Sequence, residues 1–303
     1  MHQQLTSSRN INLQNLINQL TESTSIELAQ KIQFQAIATS LTPQEITTAY
    51  VHQSNSGSPI LLLHGFDSSV LEFRRLLPLL ANQNDTWAVD LLGFGFTERM
   101  ANLALNPIAI KTHLYCFWQA LIGQPVILVG ASMGGAAAID FALTYPEVVQ
   151  KLVLIDSAGF TSGSAMGKLM FPPLDRLATE FLRNPRVRNS ISRAAYKNKR
   201  LASVDAQLCA ALHLNTPGWN QALIAFTKSG GYTSFKDKLE QIQQPTLILW
   251  GESDRILGIK DADKFQQAIP YSKLVWIKDC GHVPHLEQPQ ITAKHILRFC
   301  QPE

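Results

Sequence analysis

The stretch Val126-Ile127-Leu128-Val129-Gly130-Ala131-Ser132-Met133-Gly134-Gly135 decides the fold. Its first four residues are an apolar run between Pro125 and Gly130, too short for a helix and rich in β-branched residues, which predicts a buried strand. Ala136-Ala137-Ala138-Ile139-Asp140-Phe141-Ala142-Leu143 follows, a run of helix formers ending near Pro146. Ser132 therefore stands where a strand turns directly into a helix. Glycines on both flanks let the chain make that turn, because a side chain there would clash. The turn lifts the hydroxyl above the sheet and aims the first amides and the positive end of the helix at the same point, where they can stabilise an oxyanion. A Gly/Ser-rich turn gives G-x-S-x-G by chance often enough; the strand-turn-helix setting makes it a nucleophile elbow.

Outward from the elbow, strands and helices alternate. Pro59 to Gly65 reads as a strand apolar on both faces, as a central parallel strand is. A helix is expected over 69–80, a strand over 86–91, a helix over 106–122, and after the elbow another strand over 151–156. The rhythm resumes with Pro245 to Gly251, a helix over 260–269, a strand over 273–277 and a last helix over 288–300. Alternation of this kind implies crossover units and a parallel sheet with helices on both faces. Upstream, residues 31–38 and 46–52 alternate or favour β-branched residues and read as two antiparallel strands. Ile11, Leu13, Leu16, Ile17 and Leu20 have helical, amphipathic spacing. Between 159 and 240 the composition is helical, broken by Pro172, Pro173, Pro185 and Pro217, with no clear strand. A helical insertion between two sheet strands reads as a cap over the strands' carboxyl ends, where open sheets place their sites. The expected layout is a packed extension over 1–45, a core over 46–158 and 241–303, and a helical cap over 159–240.

A serine hydroxyl is a weak nucleophile that needs a base, itself held by a third group. Two loops leave strand ends on the elbow's edge of the sheet: Gly251-Glu252-Ser253-Asp254 and Lys278-Asp279-Cys280-Gly281-His282-Val283-Pro284-His285. His282, between Gly281 and Pro284, is placed to take the Ser132 proton, and Asp254 to orient the imidazole. Asp156 and Glu252 compete for the acid's role and His285 for the base's. The loop His64-Gly65-Phe66-Asp67 follows the first central strand, so the Phe66 amide is expected to join the Met133 amide in holding a developing negative charge.

These pieces, with the turn Asp90-Leu91-Leu92-Gly93-Phe94-Gly95, give the chain from about residue 45 to 300 a resemblance to the α/β-hydrolase fold superfamily. The resemblance implies an α/β fold with a mostly parallel central sheet, helices on both faces and a helical cap inserted between two strands. Within it, the chain is similar to capped serine carboxylesterases and to meta-cleavage-product hydrolases, which break a carbon–carbon bond. Haloalkane dehalogenases and epoxide hydrolases share the layout but carry an aspartate where this chain has Ser132. The implied activity is hydrolysis of a small or medium carboxylic ester through an acyl-enzyme, with a small-molecule ester or ketone as substrate and no cofactor or metal needed. The alternatives are carbon–carbon cleavage of a vinylogous diketone acid, transfer of the acyl group to an acceptor other than water, and a hydrolase-fold receptor with vestigial turnover.

Composition bounds the rest. The 303 residues are 46% hydrophobic and 16% charged, which fits a well-buried globular chain. A net charge of +3 gives no argument for nucleic acid. Cys116, Cys209, Cys280 and Cys300 are widely spaced, which points to reduced thiols rather than a disulfide frame or a metal site. The first ten residues lack a secretory apolar core and no run is long enough to span a membrane, so the expected location is cytoplasmic. In the cap, Phe160, Met166, Met170, Phe171, Trp219, Phe226 and Tyr232 are candidate pocket residues, Trp219 and Phe160 foremost. From Arg183 to Arg200 there are seven basic residues and no acidic one. That run is expected to be a solvated helix face, with a rim for an anionic substrate or surface as the alternative.

Overall fold

The structure is a computed structural model that describes residues 17–161 and 174–301. Most of the helix expected over 11–20 lies outside those residues, as do Met166, Met170 and Phe171; Ile17 and Leu20 are buried.

After helix α1 (Ser23–Gln30) the chain forms β1 (Gln33–Thr39), β2 (Thr42–Gln53), β3 (Ile60–Leu63), α2 (Leu77–Ala81), β4 (Thr86–Val89), α3 (Pro107–Leu121), β5 (Val126–Ala131), α4 (Met133–Thr144) and β6 (Val149–Ile155). Four longer helices follow among the described residues, α5 (Leu174–Arg183), α6 (Pro185–Ala195), α7 (Val204–Ala211) and α8 (Trp219–Lys228). The chain closes with β7 (Thr246–Gly251), α9 (Lys260–Ala268), β8 (Ser272–Ile277), α10 (Pro284–Glu287) and α11 (Pro289–Cys300). The eight strands form one sheet in the order β1-β2-β4-β3-β5-β6-β7-β8. β1 and β2 are antiparallel to each other and β2 to β4, while every pair from β4 to β8 is parallel. This is the mostly parallel α/β architecture that the alternation implies.

The runs apolar on both faces have a simple use. Successive side chains of a strand point to opposite faces, so Leu61, Leu63, Leu128, Leu152 and Leu154 enter one core with α3, α4 and α9. Ile60, Leu62, Ile127, Val129, Val153 and Ile155 enter the other with α1, α2 and α11. Truncating one such leucine to alanine typically costs about 2–5 kcal/mol, which fixes the sheet rigidly enough to carry a site on its rim. The helix expected over 69–80 divides in two. The Ser69 side chain accepts from the Leu71 amide and starts a 3₁₀ turn at Val70–Phe73, and α2 begins afresh with Pro78 in its first turn. Pro78 has no amide hydrogen to continue a helix from the preceding turn.

Candidate active site

The elbow is held by contact rather than by flexibility. Ser132, and not a glycine, takes the strained left-handed conformation, with φ 53° and ψ −118°. Its neighbours are glycine because backbone crosses backbone there. A Cβ on Gly130 would lie 2.2 Å from the Gly134 carbonyl oxygen, and one on Gly134 would lie 2.1 Å from that of Leu63. The Ser132 amide donates to the Ile155 carbonyl at 3.0 Å, and its own carbonyl accepts from Gly135 at 3.0 Å and Ala158 at 2.9 Å.

Three residues far apart in the chain meet at this point. The Ser132 hydroxyl donates to His282 Nε2 at 3.0 Å, and His282 Nδ1 donates to Asp254 Oδ2 at 2.9 Å. That assignment follows from the carboxylate, which fixes the tautomer by taking the Nδ1 proton. Asp254 Oδ1 accepts from the amides of Ile256 at 2.7 Å and Leu257 at 3.2 Å. Burial alone would raise the Asp254 pKa, but the hydrogen bond and charge of His282 and the two amides outweigh it and hold the carboxyl below its ordinary range. The loop bearing His282 is clamped from both sides. Its own amide donates to the Ala195 carbonyl at 2.7 Å, and the Gly281 amide to Glu287 Oε2 at 2.7 Å.

The competing residues are sorted by position. Glu252 is exposed. Asp156 is buried behind Asp254, where its Oδ1 accepts from the Gly251 amide at 3.0 Å. Burial and then the Asp254 charge push its carboxyl well above the ordinary range. His285 is 3.2 Å from Glu72 Oε1 instead of facing Ser132. Ligand atoms of Asp156, Asp254 and His282 lie within 4.8 Å of one another, the spacing of a metal site. The imidazole nitrogens already face Asp254 and Ser132 and Asp156 Oδ1 is taken by the Gly251 amide, so the cluster fits proton transfer better than a cation.

On the opposite side, Gly65 carries its loop past Ser132. The Gly65 amide is spent on Glu72 Oε2 at 3.0 Å. The Phe66 and Met133 amides donate to no acceptor among the described residues. Burial would raise the Glu72 carboxyl, but His285 and His64 bring it down to about 2.

A cavity of about 330 Å³ opens on Ser132 and His282, walled by the oxyanion-side loop and by α6 and α7. Its apolar lining includes Leu182, Ile191, Ile256, Val283 and Leu286. Neither Trp219 nor Phe160 lines it, which corrects the expectation from sequence. The Trp219 indole donates to Asp67 Oδ1 at 2.7 Å and its ring packs with Leu214 and Leu223. Phe160 packs edge-on against Phe265 at 5.4 Å, in the core. Both are used as filling and fastening by the residues they meet.

Sequence reasoning passes over the fastening itself. Asp67, next to Phe66 and at φ 49°, accepts from Arg188 Nη1 at 2.7 Å, His213 Nε2 at 3.1 Å and the Trp219 indole. Burial would raise its pKa, but His213 and Arg188 carry it far below the ordinary range. Arg188 thus turns inward from the basic stretch, in which Arg183, Arg186, Arg193, Lys197 and Arg200 are exposed and Lys199 is half-buried. The one signal in the sequence is an acidic residue at a tight loop, and its partners are 121 to 152 residues away.

Residues 58–289 match the family model described as the alpha/beta hydrolase fold. The chain belongs to the α/β hydrolase fold family. Among its family relatives, the alpha/beta hydrolase domain-containing protein VTE7 of Arabidopsis thaliana is 34% identical over 82% of this chain and 75% of its own length. The 2-hydroxy-6-oxo-2,4-heptadienoate hydrolase of Pseudomonas putida is 28% identical over 78% of this chain and 87% of its own. A thermophilic esterase from Thermogutta terrifontis superposes with a TM-score of 0.76 at 25% identity, covering 89% of this chain and all (100%) of that one. No described helix of this family member is long and apolar enough to cross a membrane.

Proposed function

We propose that this chain is a serine hydrolase that cleaves a small or medium carboxylic ester through an acyl-enzyme. The observation that carries the reading is the continuous relay of Ser132 Oγ, His282 Nε2, His282 Nδ1 and Asp254 Oδ2, with links of 3.0 and 2.9 Å. Ser132 attacks the ester carbonyl as His282 removes its proton. Asp254, kept ionised, stabilises the imidazolium that forms. The Phe66 and Met133 amides hold the oxyanion, each worth about a hundredfold or more in rate. His282 then protonates the departing alcohol, and the acyl group stays on Ser132. A water molecule, deprotonated by His282, attacks the acyl carbon and releases the acid, which returns the hydroxyl to Ser132. The steps need nothing beyond the chain, the ester and water. Residues 159–240 act as a cap whose α6 and α7 wall the cavity.

Hydrolysis of p-nitrophenyl esters across acyl lengths tests the reading. Ser132→Ala is expected to lower kcat by on the order of 10⁴-fold or more, and a fluorophosphonate probe to label Ser132 in the folded native protein. Turnover that persists in the variant, or a folded native protein that takes no label, overturns it. The Pseudomonas putida relative, named for a keto-dienoate, favours carbon–carbon cleavage as the second reading. Turnover of a vinylogous diketone acid with ester hydrolysis a hundredfold weaker would move the assignment there.

A further inference from the structure

The wall of the cavity away from the relay holds a guanidinium. Arg74 directly follows the 3₁₀ turn Val70–Phe73, lines the cavity and is 2% exposed. Its Nη1 donates to the Leu71 carbonyl at 3.3 Å. Its Nε and Nη2 have no hydrogen-bond partner among the described residues. These two atoms form one edge of the planar group, the pair of parallel N–H bonds that grips a carboxylate through both oxygens. Arg75, the next residue, places its own equivalent edge, Nε and Nη2, on Glu22 Oε1 and Oε2 at 2.6 and 2.7 Å. The protein therefore fills one fork with a carboxylate of its own and leaves its neighbour's fork, buried on a residue that lines the cavity, without one.

The surroundings fit the same ligand. Tyr196 and Cys209 line the cavity with Arg74; the Tyr196 phenol oxygen lies within the guanidinium's reach as an acceptor, and its O–H can donate to an oxygen held there. The acidic side chains on the cavity wall are engaged elsewhere: Glu72 with Gly65 and His285, Asp67 with Arg188, His213 and Trp219. Leu182, Ile191 and Leu286 supply apolar surface in the same cavity. A buried guanidinium edge with no acceptor is costly, and a ligand carboxylate removes that cost.

We propose that Arg74, with the Tyr196 phenol beside it, is a carboxylate subsite, so that the substrate is an acyl compound bearing a free carboxylate remote from the bond that breaks. This deepens the serine-hydrolase reading and rests on it only for which cavity receives the substrate. The corresponding ester class is the hemiester of a dicarboxylic acid.

Binding is measured without turnover, in the Ser132→Ala protein, by calorimetric titration with the monomethyl and dimethyl esters of aliphatic dicarboxylic acids from succinic to suberic. The hemiester of the best-fitting length is expected to bind about tenfold or more tighter than its diester, the usual effect of a charge-assisted hydrogen bond. Adding Arg74→Met brings that ratio to about one. If this variant does not fold, Arg74→Lys, which keeps the charge and loses the fork, is expected to cut the ratio severalfold. A diester bound as tightly as every hemiester, or a ratio that the Arg74 substitutions leave unchanged, overturns the subsite. Because no bond is broken in this assay, it is independent of the esterase test. Absent ester turnover by the native protein would sink the proposed reaction and leave the subsite standing.

Discussion

The elbow and the segment between β6 and β7 face each other across one cavity, and they are built by opposite means. Around Ser132 the backbone is so closely crossed that Gly130 and Gly134 have no room for a methyl group. In the segment, α6 has no fully buried residue, and Leu177 and Phe181 of α5 are 61% and 63% exposed. α6 is held by polar fastenings, Arg188 on Asp67 and the Ala195 carbonyl on the His282 amide, while α7 and α8 set Cys209, Ala222 and Phe226 into the sheet's two cores. Close packing fixes where the nucleophile's oxygen points to within a fraction of an ångström. α6, with no buried residue of its own, rests on a few hydrogen bonds, so its surface is free to vary with the substrate.

Four substitutions separate these two kinds of order. The largest effect belongs to the elbow. Gly134→Ala drives a Cβ into the Leu63 carbonyl and is expected to destabilise the fold by more than about 4 kcal/mol; chemical denaturation checks it, and a variant as stable as the native protein would break the contrast. Next is the Glu72 bracket beneath the oxyanion-side loop. Its folded pKa, about 2, lies below the ordinary 4.5. A lowered carboxylate pKa gives stability that is complete above about pH 4.5 and disappears as the pH falls toward 2. Glu72→Gln should therefore remove on the order of 3 kcal/mol near pH 6 and flatten the acid limb of Tm against pH.

Asp67→Asn keeps the shape of the fastening and loses its charge, so the Phe66 amide is held less well. The expected result is a loss of about tenfold in kcat with a smaller change in KM, and an unchanged kcat would show that the latch and the oxyanion-side loop are uncoupled. The smallest effect is on the outside of the segment. Phe181→Ser should shift stability by less than about 0.5 kcal/mol and leave ester turnover unchanged; a larger loss by thermal denaturation would show that α5 is packed more like the elbow than its exposure implies.

The elbow, the strand order around it and the meeting of Ser132, Asp254 and His282 are legible in the sequence because each rests on local pattern. A short apolar run, a glycine where backbones cross and a loop after a strand are written in adjacent residues. The cavity wall is not legible in this way. Trp219 and Phe160 carry the right chemistry for a pocket, but the direction of an aromatic ring depends on partners such as Asp67 and Phe265 that are distant in the chain. The same holds for Arg188, which has the composition of a solvated stretch and the position of a buried fastening. The helix expected over 69–80 fails for a local reason, the competition of the Ser69 side chain with helical hydrogen bonding at Leu71. Arg74 and Arg75 are adjacent and identical in type, and only the structure distinguishes the satisfied fork from the open one.

β8, the strand that delivers His282, is at the edge of the sheet, and His282 comes 150 residues after Ser132 in the chain. A ribosome emitting this chain thus exposes the serine long before the imidazole exists, and a product cut short ahead of Ser272 bears an alcohol with no proton acceptor. Under the proposed relay, copies that stop short of β8 stay inert toward whatever esters surround them.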